Sequence, residues 1–190
     1  MDFTRVICGR ESIRSYDPTR PLDKEVLVRI LDAGRVAPSA ANRQPWRFIV
    51  VRGDARDRFG ELLAGHLART QPAATAEALQ RERDKALRAP LIIVVAAHIN
   101  AAVKKVPPIE QTLAAGAAAA NIMLASLALG YNAMWKTGGA AYDEAVKRAL
   151  GLEATDAIVG FLYVGTEGGK TPPPRGEWRE LVREWHGAAV

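Results

Sequence analysis

Two short runs of the chain carry side chains that could bind a ligand. The first holds Arg10, Ser12 and Arg14, which place two guanidinium groups and a hydroxyl within one short segment. Such a set suits a phosphate, because arginine offers a planar fork of donors and serine adds one more. On spacing alone, however, a surface arginine pair with Ser12 as a helix cap is the better interpretation.

The second run, residues 37–46, is a loop rich in chain breakers. Ser39, Asn42 and Gln44 offer hydroxyl and amide groups just ahead of a predicted strand. Loops held by a rigid scaffold often carry binding groups, and amides suit the polar edge of a heterocycle. Proline, serine and asparagine are equally normal in a plain connection between a helix and a strand. Together, the two runs suggest a phosphorylated, ring-bearing cofactor.

Two further segments have weaker signals. Residues 135–139, Trp-Lys-Thr-Gly-Gly, end a predicted strand. They indicate either a simple glycine turn or a backbone nest in which Lys136 and Thr137 face an anion or a ring edge. Arg175 could reach a phosphate, although a surface arginine is the better local interpretation. The glycines of residues 165–171 lack the four-residue spacing of a nucleotide-binding loop, and the prolines that follow prevent its helix.

Composition excludes several other classes of protein. The 190 residues fit one domain, and the formal net charge of +5 is dispersed rather than clustered. Aromatic residues make up only 6%, so a nucleic-acid platform is not expected. The three histidines lie far apart and show no metal-ligand spacing, and no side chain stands out as catalytic. The single cysteine and the charged N-terminal residues favour a reducing cytoplasm.

The hydrophobic pattern predicts alternating helices and strands. We expect helices over residues 2–9, 23–34, 54–69, 75–87, 109–129 and 142–150, buried strands over 46–52, 91–97, 131–137 and 157–164, and a last amphipathic piece over 177–185. Residues 112–130 are nearly uncharged and approach the ~20 residues that span a bilayer. Alanine and glycine dominate them, which indicates a buried core helix and modestly favours close packing against a twin helix in a dimer.

In this order, the segments resemble the FMN-dependent nitroreductase family, and the compact bacterial subgroup of NAD(P)H nitroreductases in particular. The resemblance covers most of the chain, from residues 10–14 through 37–46 and 135–138 to the strand at 159–165. It implies an α+β fold of three layers, with a mostly antiparallel sheet wrapped by helices. It also implies a single domain over residues 1–190, an intertwined homodimer, and a C-terminal arm over residues 166–190 that packs on the partner subunit.

The same resemblance implies the site residues. Arg10, Glu11, Ser12 and Arg14 would hold the FMN phosphate and ribityl chain, with only the backbone of Glu11 useful. The other subunit would supply Pro38, Ser39, Ala40, Asn42 and Gln44. Trp135, Lys136 and Thr137 would line the flavin pocket, and Arg175 would close on the phosphate. Lys136 or Arg43 would stabilise the reduced ring.

The implied activity is a ping-pong transfer of hydride from NADH or NADPH, through FMN, to a nitroaromatic, a quinone or a similar acceptor. Two alternatives stay open. One is a specialised reductase of an enone or a halogenated aromatic, and the other is a flavin-binding protein with little turnover. We expect no nucleic-acid or membrane partner. The far wall of the acceptor pocket is expected between residues 68 and 106, where the sequence gives no readable specificity.

Overall fold

A four-stranded antiparallel sheet forms the centre of the molecule. The structure is a computed structural model, and it describes residues 2–17, 20–168, 176 and 178–187. The strands are β1 (Trp46–Arg52), β2 (Leu91–Ala97), β3 (Asn132–Lys136) and β4 (Ala157–Gly165). Their order across the sheet is β1-β2-β4-β3, so β1 and β3 lie at opposite edges.

Helices cover both faces of this sheet. They are α1 (Phe3–Gly9), α2 (Lys24–Arg35), α3 (Ala55–Thr70), α4 (Ala76–Ala86), α5 (Pro108–Ala128) and α6 (Glu144–Ala149). Successive residues of β2 point to opposite faces: Leu91 and Ile93 pack with α2 and α5, while Ile92 and Val94 pack with α3 and α6. The expected three-layer α+β fold is therefore confirmed.

The long helix α5 meets the length and hydropathy expected of a membrane span, with 21 residues and a mean hydropathy of 1.3. A buried core helix meets the same criterion. The side of α5 that carries Ala115, Ala118, Ala119 and Ile122 is fully buried against the sheet and α2. The small alanine side chains let the helix approach the strands closely.

The structure corrects two details of the predicted elements. β1 is an edge strand whose middle residues are only half-buried, whereas the apolar run 48–51 predicts a fully buried one. Within the described part of the tail, the expected amphipathic piece is a single 3-10 turn at Trp178–Leu181. Leu181, the last residue of this turn, and Trp185 beyond the turn are exposed at 85% and 84%. Neither side chain therefore packs against its own subunit.

The N-terminal segment after α1 extends the sheet at its β3 edge. Ser12 forms a parallel bridge with Ala133 of β3, and Tyr16 forms an antiparallel bridge with Glu167 after β4. The buried hydroxyl of Tyr16 donates to the Tyr163 carbonyl at 3.0 Å. Burial raises the pKa of Tyr16 above its ordinary value, so this hydroxyl keeps its proton and its hydrogen bond.

Candidate functional site

A cavity of about 300 Å³ opens beside the end of β3. Its walls come from α3, α4, β4 and the turn that follows β3, and it includes Lys136, Thr137 and Gly138 of the predicted strand end. The structure thus places this strand end at a cavity rather than at a plain turn. Cationic side chains and a glycine-rich backbone meet there.

The cavity is rich in positive charge. Lys85, Arg88 and Lys136 line it, together with the carboxylate of Glu82. Glu82 forms an ion pair with Lys85 across one turn of α4. Within residues 2–17, 20–168 and 178–187, no carboxylate pairs with Arg88 or Lys136. The cavity therefore favours an anionic or electron-rich ligand.

Two glycines, Gly138 and Gly139, determine the backbone path of the turn that lines this cavity. Gly138 has φ of 102°, a conformation that favours glycine over any residue with a side chain. A Cβ on Gly139 would collide with the imidazole of His66, so the backbone and this ring are in close contact. The backbone of residues 137–139 is thereby brought to the cavity wall without side chains in the way.

The structure brings the first predicted run to the same edge of the sheet. Ser12 pairs in parallel with Ala133 of β3, and by Tyr16 the chain has reached Glu167, beyond the Asn132 end of that strand. Ser12 and Arg14 are exposed, while Arg10 and Glu11 are half-buried. The run therefore meets β3 at Ala133, and residues 10–14 are not among those that line the cavity.

The second run forms a strained loop at the start of β1. Ala41, Asn42 and Gln44 all have φ near +50°, in the left-handed region that side chains disfavour. Local hydrogen bonds hold this conformation: the Gln44 amide N–H donates to Ser39 Oγ at 3.1 Å, and Gln44 Nε2 donates to Asn42 Oδ1 at 3.0 Å. Pro38 and Arg43 of the same loop are exposed, and Ala40 is half-buried. Strain of this kind is found most often at functional sites.

This loop does not reach the cavity within one chain. Three strand spacings separate β1 from β3, which is about 14 Å across the sheet. The loop and the Lys136 end of β3 do lie at the same end of the sheet, because β1 and β3 run in opposite senses. Within one subunit, the loop and the Lys136 end of β3 are therefore separate segments at the same end of the sheet.

Trp135 lies on the other face of the sheet from Lys136. Its Nε1 donates to the Val159 carbonyl at 3.0 Å, and its ring packs over Gly160, where a Cβ would collide with the indole. It joins the core between the sheet and α5 and is not among the cavity-lining residues. Arg175 lies outside the described residues.

The sequence missed a hydrogen-bonded group at the far wall of the cavity. His66 of α3 lines the cavity, and its Nδ1 lies 2.8 Å from Asp143 Oδ2. The Arg69 guanidinium donates to both oxygens of Asp143, and the backbone N–H groups of Ala145 and Val146 donate to Oδ1. Although burial opposes ionisation, the hydrogen bonds from His66 and Arg69 hold the pKa of Asp143 well below its usual range.

The stretch between residues 68 and 106 also contributes charged side chains to the cavity, which its sequence does not indicate. The alternating charges of residues 81–85 are typical of a solvated helix face. In the structure, Glu82 and Lys85 are half-buried and turn toward the cavity, as does Arg88 just after α4. Their spacing of three residues is the one signal that could have placed them on a common face.

The fold and this site define an α+β protein with a cationic, cofactor-sized cleft at a strand end. Comparison with known proteins gives the family: the model of the Nitroreductase family matches residues 7–166. YdjA of Escherichia coli strain K12, which is named as an NAD(P)H nitroreductase, is 35% identical over 167 residues that cover 87% of this chain and 88% of YdjA. The chain therefore belongs to the nitroreductase family, and its expected assignment as an oxidoreductase is confirmed.

Solved structures agree with this assignment. A nitroreductase-like family protein from Bacillus cereus matches with a TM-score of 0.86 and 23% identity, covering 98% of this chain and 97% of that one. A protein from Desulfovibrio desulfuricans, described as a nitroreductase in complex with FMN, matches with a TM-score of 0.76 and 28% identity, covering 97% of each chain. The first likeness supports the fold, and the second links this fold to FMN.

Proposed function

We propose that this protein is an FMN-dependent NAD(P)H oxidoreductase that reduces nitroaromatics, quinones or similar acceptors. The observation that carries the proposal is the cationic cavity at the Lys136 end of β3, with the Arg10–Arg14 run along the same edge. When bound, FMN supplies the two-electron chemistry, taking a hydride from NADH or NADPH and passing it to the acceptor.

The donor set of the chain fits this cofactor. The guanidinium groups of Arg10 and Arg14, with the Ser12 hydroxyl, suit the phosphate and the ribityl chain. Lys136, with the backbone of residues 137–139, suits the carbonyl edge of the ring, where positive charge stabilises the reduced anionic form. Trp135 supports the strand from behind, through its bond to Val159. Glu11 and Thr137 contribute through their backbone.

We propose that the site is completed by a second copy of the chain. The loop that holds Asn42 and Gln44 lies about 14 Å away across its own sheet, so a partner's loop is needed to close the ring edge. An apolar surface supports the dimer: Ile109 and Leu113 of α5 are exposed, and so is Phe3 of α1. Phe3 also lines a groove of about 330 Å³ between α1, α2 and the C-terminal half of α5.

The C-terminal arm, residues 166–190, is part of the same proposal. Leu181 and Trp185 are exposed on their own subunit, and packing on the partner would bury them. Arg175 on this arm would then reach the phosphate. The exposed free thiol of Cys8 is compatible with the reducing cytoplasm proposed as the location.

Purified protein tests the proposal directly. We expect FMN to bind, NADH or NADPH to bleach the flavin absorbance, and a nitroaromatic or a quinone to restore it. Light scattering after size-exclusion chromatography should give twice the chain mass. Protein that takes up no added FMN would refute the oxidoreductase proposal, and flavin that binds but is never bleached would favour a binding protein over an enzyme.

A further inference from the structure

We propose that His66 donates a proton to the acceptor from its Nε2 atom, and that Asp143 is the residue that positions it. The inference rests on the proposed function and adds to it a proton donor in the same cavity. No pattern in the sequence links these two residues, which meet only in the fold.

The geometry orients the imidazole ring toward the ligand space. Nδ1 of His66 lies 2.8 Å from Asp143 Oδ2, which fixes one side of the ring. The opposite atom, Nε2, lies against the backbone of Gly139 at the cavity wall. Within the described ranges, Nε2 has no hydrogen-bond partner of its own. The ring nitrogen that Asp143 does not hold therefore lies on the side of the imidazole that meets Gly139, a cavity-lining residue.

Asp143 sets which nitrogen keeps its proton. Because the carboxylate stays ionised, it accepts a hydrogen bond from Nδ1–H of the ring, and the second ring proton is then the one on Nε2. Arg69 already compensates the charge of Asp143 through two hydrogen bonds of 2.9 and 3.0 Å. The imidazole is thus not required to be a permanent cation, and its second proton stays transferable.

Other charged and titratable groups face His66 from each neighbouring element. They are Arg69 of its own helix, Asp143 before α6, Glu82, Lys85 and Arg88 of the α4 region, Lys136 of β3 and Tyr163 of β4. Burial raises the pKa of Tyr163 to about 12, so this phenol does not compete as a donor near neutral pH.

The proton balance of the reaction needs such a donor. Reduction of a quinone to a hydroquinone takes up two electrons and two protons, and a hydride from NAD(P)H carries both electrons but only one proton. The second proton passes from Nε2 to the remaining carbonyl oxygen, which leaves neutral imidazole. Solvent then restores the imidazolium, because 19% of the His66 side chain is exposed.

A second histidine of the chain offers a matched control. His98 Nδ1 lies 3.0 Å from Asp156 Oδ1, so the two pairs share the same chemistry. His98 follows β2 and does not line the cavity beside β3. Replacing each histidine by glutamine removes one imidazole and preserves a polar side chain.

The test compares His66→Gln and His98→Gln, both loaded with FMN, in stopped-flow absorbance. We expect His66→Gln to slow reoxidation by 1,4-benzoquinone about 100-fold, since general acids typically contribute 10²–10⁴-fold. Bleaching by NADH and the FMN dissociation constant should stay at wild-type values. The wild-type reoxidation rate should fall as pH rises, and His66→Gln should lose that dependence. His98→Gln should match wild type throughout.

Two results would overturn the inference. One is reoxidation of His66→Gln at the wild-type rate, and the other is an equal loss in His98→Gln. A measurement on the wild-type protein keeps the test valid even if the variant does not fold. Nitrogen NMR of the imidazole, recorded without turnover, should show the neutral ring protonated on Nδ1. Protonation on Nε2 would also overturn the inference. Wild-type protein that is never bleached refutes the proposed function itself, whereas wild-type turnover with an unaffected His66→Gln refutes only the role of His66.

Discussion

Replacement of Asp143 tests how the cavity wall is held together. The carboxylate accepts hydrogen bonds from His66, from Arg69 and from two backbone N–H groups at the start of α6. Asp143→Asn keeps a good N-cap but loses the charge, while Asp143→Ala loses both. The two variants together separate the capping interaction from the electrostatic one.

The expected magnitudes follow from these contacts. Loss of an N-cap lowers the free energy of unfolding by about 1 kcal/mol. This loss applies to Asp143→Ala and not to Asp143→Asn, because asparagine still caps the helix. Hydrogen bonds to a charged group contribute about 1.5–3 kcal/mol, and the low end applies because Arg69 is about half exposed. We expect losses of about 1.5 kcal/mol for Asp143→Asn and about 2.5 kcal/mol for Asp143→Ala. The second corresponds to a fall in Tm of roughly 5–10 °C for a chain of this size.

Lowering the pH should remove the stabilisation by the charged Asp143 carboxylate in the wild type, but it should have no such effect in Asp143→Asn. The pKa of Asp143 is lowered in the folded protein, so its stabilisation is complete above the usual carboxyl range, about pH 4, and is lost as pH falls further. Urea unfolding at fixed protein concentration, from pH 7 down to pH 3, measures the gap between wild type and Asp143→Asn. A gap that widens as pH falls, or an Asp143→Ala variant as stable as wild type, would refute this account.

Three more substitutions test the site and its supports. Arg10→Ala should weaken FMN binding roughly tenfold or more in a fluorescence titration, because charge-assisted phosphate bonds contribute about 1.5–3 kcal/mol; unchanged affinity would make Arg10 a surface residue. Ala41→Gly should raise the free energy of unfolding by up to about 1 kcal/mol by relieving its left-handed φ, and lower stability would contradict the strain. Gly160→Ala should destabilise by about 1–3 kcal/mol and shift the Trp135 fluorescence, whereas Gly9→Ala, where a Cβ meets nothing within 4 Å, should do neither.

The layers of the fold were predictable because their elements differ sharply in composition. β2 is a continuous apolar run and is buried on both faces, and α5 carries the alanines of a close-packed core helix. The apolar run of β1 is nearly as strong, yet β1 is half-buried. Whether a strand lies at the centre or at an edge depends on its partners, which its own residues do not record.

The candidate site was predictable only where its residues are near in sequence. Lys136 and Thr137 line the cavity, although their segment equally allowed a simple glycine turn. The position of Trp135 could have been predicted from strand geometry. Alternate strand residues face opposite sides of a sheet, so a cavity lined by Lys136 is not lined by Trp135, the residue before it. His66 and Asp143 carry no signal, since tertiary packing alone joins them.

The bridge between Ser12 and Ala133 has a consequence for the order of assembly. Ser12 and Tyr16 are made well before their strand partners: more than a hundred residues separate Ser12 from Ala133, and Tyr16 is still further from Glu167. Contacts so distant in sequence form late, because the loop they close is costly in entropy. The Arg10–Arg14 run is therefore expected to dock late in folding, after β4 has joined β3 to the rest of the sheet.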